Sequence, residues 1–264
     1  MTEYYRKDMV DDTLGRERAY LIENKMYGAE DVLVHNAINV IVDLPTVKMP
    51  DAIPAYHTAG EYIQVPNCDI VHNAVVYGFS DSVRGAKFPM AIDIDHLSTD
   101  LTDGIMGLAK AEPGSGHDQW LHGVIVQFDL TFSNKAWVEA ERYHFLEFVS
   151  SQSTMHRITK LFDPYTSYNE YVDRRIVDIM QEKVDAYNEC EDKTERKRRY
   201  LEILYSNPAG FMLTARMTTN YCQLKTIYRQ RKSHRLPEWR QFCSWIETLP
   251  HAELITGEKD SQAT

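Results

Sequence analysis

The sequence predicts an α+β fold, dominated by helices with a small sheet. Helical periodicity recurs through the C-terminal two thirds of the chain, whereas one segment, Gly123 to Phe132, stands out as rich in β-branched and aromatic residues. The 264 residues are 43% hydrophobic and 26% charged, enough apolar material for one large domain and too much for a disordered chain. Residues 1–64 read as an N-terminal extension and 65–264 as the main domain.

Taken in order, the extension carries a possible helix at Leu14–Lys25 and a proline-punctuated loop from Leu44 to Pro54. Ala74–Phe79 reads as a strand. Asp81 is placed to cap a helix that begins at Ser82, and Leu97–Ala111 reads as a second helix, closed by Pro113-Gly114-Ser115-Gly116. The 123–132 strand follows. Lys135–Val149 then reads as a buried helix, in which Glu141, His144 and Glu147 recur at spacings of three and share one face. Charged groups so placed are either paired, exposed at a groove or functional. Ser150 to Thr154, followed by Met155-His156-Arg157, is a hydroxyl-rich segment that can bind phosphate or form a capped turn. Tyr171–Tyr187 is an amphipathic helix through Val172, Ile176, Ile179, Met180 and Val184, and Arg198–Tyr205 is another. Pro237 sits where the first turn of a last helix begins, with Trp239, Phe242, Cys243 and Ile246 facing the core.

The stretch Thr218 to Arg240 carries the most functional information. Read as a helix, it aligns Asn220, Leu224, Ile227 and Arg231 on one face, so an amide and a guanidinium bracket two aliphatic side chains. Such a face suits an anionic, partly flat ligand. An exposed helix with polar ends has the same spacing.

A formal net charge of -10 disfavours duplex nucleic acid as a partner. No apolar run long enough to span a bilayer occurs, and the N-terminal residues are acidic with no apolar run, so a cytoplasmic, membrane-free protein is expected. Cys68, Cys190, Cys222 and Cys243 are scattered without metal or redox spacing, so no metal is expected. The glycine-rich, P-loop, zinc-protease and nucleophile-elbow motifs are absent.

Several segments together resemble the flavin-dependent thymidylate synthases. They are Ser82-Val-Arg-Gly-Ala-Lys-Phe88, Gly116-His117-Asp-Gln-Trp-Leu-His122 ahead of a strand, the Ser/Thr segment, and Pro208, Asn220, Leu224, Arg231 and Glu238 in the family's order. The resemblance covers residues 65 to about 250. It implies an α+β subunit with a small mixed sheet, assembled as a homotetramer whose active sites form between subunits. It also implies FAD as cofactor, with NADPH and methylenetetrahydrofolate as cosubstrates, and one-carbon transfer to C5 of a pyrimidine deoxynucleotide, dUMP to dTMP.

By that resemblance Arg231 holds the pyrimidine nucleotide and is the candidate catalytic residue, and Asn220 and Arg231 face a common pocket for a flavin stacked on the base. Glu141, Ser153, Thr154, His156 and Arg157 fall on the substrate side, and His117, His144, Gln152, Asn220 and His234 (or Arg235, one register away) on the cofactor side. The family's R-H-R-x-x-S-x-N-E motif is replaced by H-F-L-E-F-V-S-S-Q, His144 to Gln152, which removes two fixed cations. That departure leaves open a 5-hydroxymethyl product, a non-catalytic nucleotide-binding relative, or a scaffold whose polar faces form only salt bridges.

Overall fold

The computed structural model describes residues 62–112, 115–160 and 163–257, all within one compact unit, Gly60–Thr264. The readings of a helix at 14–25 and a loop at 44–54 lie outside these residues. Among the described residues five strands form a single sheet in the order β1-β2-β3-β5-β4: β1 (Tyr62–Val65), β2 (Val71–Tyr77), β3 (Ile125–Ser133), β4 (Glu147–Ser151) and β5 (Met212–Asn220). Every neighbouring pair is antiparallel, so the mixed sheet implied by the resemblance is corrected to an antiparallel one. β3 and β5 are its spine, paired from Ile125↔Asn220 to Ser133↔Met212. In both strands alternate residues are buried: Val126, Phe128, Leu130 and Phe132 from β3 and Leu213, Ala215 and Met217 from β5 point into the core. One covered and one open face is what an antiparallel sheet permits.

Among the described residues the helices are α1 (Phe79–Ala86), α2 (Asp103–Ala109), α3 (Asn134–Ala140), α4 (Thr154–Arg157), α5 (Arg174–Asn188), α6 (Lys193–Ser206), α7 (Tyr221–Arg231), α8 (Pro237–Ile246) and α9 (Glu253–Thr256). α8 behaves as expected, with Pro237 in its first turn and Trp239, Phe242, Cys243 and Ile246 buried. Phe128, Phe132, Trp137, Trp239, Phe242 and Trp245 form a continuous aromatic cluster, with ring centroids between 5.0 and 6.2 Å apart, which joins α3 and α8 to the sheet.

Four readings of the sequence are corrected. α1 begins at Phe79, three residues earlier than expected, with Gly78 rather than Asp81 at its cap. Gly78 has φ 70°, and a Cβ there would stand 2.7 Å from the Gly123 carbonyl oxygen, so both the turn and the close approach require glycine. α2 is shorter than the predicted 97–111 helix because Thr102 caps it, its hydroxyl accepting from Ile105 N–H. The predicted 135–149 helix ends at Ala140. Its remainder turns through Phe145, at φ 65°, and becomes β4, which lies along β5. Glu141, His144 and Glu147 therefore do not share a helical face. On α5 the buried residues are Val177, Met180 and Val184, while Ile176 and Ile179 are about half exposed.

Candidate functional site

The helix expected across 218–240 is three elements. Thr218, Thr219 and Asn220 end β5, α7 runs from Tyr221 to Arg231, and α8 starts at Pro237. Asn220 is the cap of α7, its Oδ1 accepting from Gln223 N–H at 2.9 Å, and Arg231 is the last residue. Leu224 and Ile227 between them are fully buried, as the spacing predicts. At a rise of 1.5 Å per residue the two polar residues are about 16 Å apart along the axis. Within one chain they mark the two ends of α7, not one shared pocket.

At the N-terminal end Tyr221 N–H bonds the Val124 carbonyl, which places α7 against the 3-10 turn Gln119–Gly123. Beside that turn opens a cavity of 860 Å³. Its apolar walls include Pro89, Ile105, Leu108 and Trp120, and its polar lining includes Lys87, His117 and Gln119. Lys87 Nζ is bound by Ser98 O (2.8 Å), Ser98 Oγ (2.9 Å) and Asp100 O (2.9 Å), so its charge holds the segment leading to α2. His117 is exposed, with its backbone N–H donated to Ser115 Oγ at 3.4 Å. The indole N–H of Trp120 is buried without a hydrogen-bond partner. Neither Asn220 nor Arg231 lines this cavity.

At the C-terminal end Arg231 is 8% exposed and closely surrounded. Its Nη1 contacts Glu139 Oε2 and His234 Nε2, both at 2.7 Å, and its Nε donates to Tyr143 Oη at 2.6 Å. The guanidinium lies over the rings of Tyr143 (5.3 Å) and Trp239 (4.9 Å). Tyr143 in turn donates to Gln230 Oε1, and Leu236 N–H donates to His234 Nδ1. Burial works to raise the Glu139 carboxyl, but hydrogen bonds from Lys135 and Arg231 and the neighbouring His234 outweigh it and hold it below its ordinary value. The cluster is a guanidinium neutralised by a carboxylate. It presents adjacent donors and acceptors rather than a bare positive charge.

The other predicted residues divide. Arg231 and His234 come together in this cluster, while Arg235 is turned out and exposed. Ser153 precedes α4 and, like Thr154, is half-buried; His156 is exposed. Gln152 and Arg157 are committed to the sheet edge: Gln152 Oε1 accepts from Thr214 N–H and from Arg157, and Arg157 also donates to the Met212 carbonyl at 2.8 Å. Glu141 and His144 are exposed in the turn before β4. Glu139 and Tyr143, which contact Arg231 directly, were not singled out by sequence. Had the 135–149 segment been read with a break at Ala140, they would have stood out as the polar residues around that break.

No family model matches the chain, and no curated protein matches it. Solved structures do resemble it: flavin-dependent thymidylate synthase ThyX from Helicobacter pylori complexed with FAD and dUMP superposes with a TM-score of 0.52 at 13% identity, over 75% of this chain and 98% of that one. A second ThyX structure from Helicobacter pylori with FAD and dUMP gives 0.53 at 14%, over 75% and 97%. The likeness at this identity is one of fold alone, an α+β fold like that of ThyX.

Proposed function

We propose that this chain is a flavin-dependent enzyme of the thymidylate synthase type, with FAD in the cavity beside His117 and a pyrimidine deoxynucleotide at the Arg231 cluster. The observation that carries the proposal is the arrangement around α7: an apolar cavity of ligand size at one end and a buried guanidinium flanked by aromatic rings at the other. The cavity fits the cofactor chemically, since Pro89, Ile105, Leu108 and Trp120 offer apolar surface to a flat ring while His117 and Gln119 offer polar atoms at its edge. A bound flavin would supply hydride transfer. His117 and Gln119 are the residues of this chain that would orient it.

At the other end the Arg231–Glu139 pair is suited to the edge of a base, the guanidinium donating to a ring carbonyl and the carboxylate accepting a ring N–H. Phosphate would fall to Ser153, Thr154 and His156. Methylenetetrahydrofolate and NADPH remain the proposed cosubstrates and dTMP the proposed product. A homotetramer would cover Phe148 (47% exposed) and Val149 (59%) on the outer strand β4. The commitment of Gln152 and Arg157 to the sheet edge favours, as a second reading, a relative that binds nucleotide without turnover. An absorption spectrum of the purified protein with and without added FAD tests the first claim; a colourless protein with no flavin binding refutes it. Incubation with dUMP, methylenetetrahydrofolate and NADPH, followed by mass spectrometry of the nucleotide, separates the enzyme from the binding protein.

A further inference from the structure

We infer that Lys225 is a positioning residue, a buried cation that fixes the cavity wall carrying His117; the inference rests on the proposed reading of that cavity as a ligand site. Lys225 lies on α7 next to Leu224 and is 7% exposed, an uncommon place for an ammonium group unless it is fully partnered. Its three N–H donors meet three acceptors: Ala109 O at 2.6 Å, Ala111 O at 3.0 Å and Asp118 Oδ2 at 2.9 Å. Ala109 is the last residue of α2, so these carbonyls stand at a helix end where intrahelical donors run out and negative potential collects. Asp118, 2% exposed, supplies the countercharge.

A single ammonium therefore ties α7 to both ends of the short segment between Ala111 and Asp118. His117 is in that segment, and the elements anchored on either side contribute Ile105, Leu108, Gln119 and Trp120 to the cavity. Lys225 itself does not line the cavity. Its place is behind the wall. The other oxygen of Asp118, Oδ1, has no hydrogen-bond partner. Without Lys225 the whole carboxylate would be buried unpaired, and its way to water displaces His117 and Gln119, the residues on either side. α7 would hold its place, because Leu224 and Ile227 are fully buried against the core.

A positioning role predicts an asymmetric loss, and a general structural role predicts a uniform one. Hydrogen exchange on Lys225→Met should show the amides of residues 110–112 and 115–120 exchanging at least about tenfold faster, the smallest change expected for a lost charge-assisted hydrogen bond. Amides of β5 and of the last turn of α7 should be unchanged. The double variant Lys225→Met with Asp118→Leu, which removes both charges, should recover thermal stability while the amides of 110–112 and 115–120 stay fast. FAD affinity should fall at least about tenfold in both variants with dUMP affinity unaltered. Uniform acceleration along α7 and the sheet, no acceleration in residues 110–112 and 115–120, or parallel loss of FAD and dUMP binding would each overturn the inference. If the unsubstituted protein binds no FAD, the flavin reading fails, and hydrogen exchange alone decides the role of Lys225.

Discussion

Towards its N-terminal end α7 sets one buried ammonium, Lys225, behind an 860 Å³ cavity, whereas at its C-terminal end Arg231 is packed between Glu139, His234 and the rings of Tyr143 and Trp239. Both ends bury a cation, and they use it differently. Lys225 spends its donors on two backbone carbonyls and a carboxylate, so the charge shapes a wall. Arg231 spends its donors on side chains, and its planar guanidinium stacks on aromatic rings as an ammonium cannot. The first arrangement leaves room for a ligand beside it; the second has filled most of its space with the chain's own groups. A ligand at the Arg231 end must therefore exchange hydrogen bonds with groups already satisfied, which favours a base edge with its own donors and acceptors over a simple anion.

Substitutions that break this contrast rank by size. Arg231→Met should cost the most, about 3 to 5 kcal/mol of unfolding free energy, because it takes from the largely buried Glu139 carboxylate its nearest cationic partner, Arg231 at 2.7 Å against Lys135 at 3.3 Å, and from Tyr143 and Trp239 the guanidinium that packs on their rings. Urea denaturation measures it, and a loss below about 1 kcal/mol would mean that the pair is effectively solvent-exposed. At the opposite end, Gly78→Ala should cost about 1 to 3 kcal/mol, since the backbone is left-handed there and the new methyl meets the Gly123 carbonyl. A neutral result in the same denaturation experiment would show that α1 shifts freely against the 119–123 turn.

The effect of pH is smaller and belongs to the Arg231 end. Glu139 is held below its ordinary value of 4.5, so its contribution to stability is complete above that value and is lost as pH falls through the lower folded-state value. Thermal unfolding from pH 6 downwards should show this part of the acid limb in the unsubstituted protein and lack it in Glu139→Gln. Identical acid limbs would remove Glu139 from the account. Smallest of all is a chemical difference between thiols. Burial pushes Cys243, on α8, up to about 12, whereas Cys222, in the first turn of α7, is raised by burial but remains half-exposed. Iodoacetamide at pH 8 followed by peptide mass spectrometry should label Cys222 slowly and Cys243 only in denaturant; comparable labelling of both in the native protein would contradict the packing of α8.

Much of the fold was legible in the sequence where burial follows a simple period. The strand at 123–132, α5 and the buried face of α8 fall close to their predicted places, while α6 starts at Lys193, five residues before the predicted Arg198. β5 was missed, although Leu213, Ala215, Met217 and Thr219 alternate with outward residues, because its polar outward positions and the helix-favouring Met and Ala obscure the period of two. β4 could not be read locally: all its residues are exposed, and only pairing with β5 makes it a strand. The candidate site was legible in part. Asn220 and Arg231 were picked out by a spacing that did place Leu224 and Ile227 in the core, but Asn220 is a cap rather than a helical residue, and Glu139 and Tyr143 went unnoticed.

By itself the sequence determined which side chains are apolar at a regular spacing, and hence the class of fold and the buried stripe of α8, since burial of a periodic face is a local consequence of residue order. Tertiary structure alone decided which cation meets which anion. Asp118 and Lys225 lie 107 residues apart and Glu139 and Arg231 lie 92 apart, and no local preference joins them. The sheet and the aromatic core bring those elements together, and only there does the cost of burying an unpaired charge select its partner.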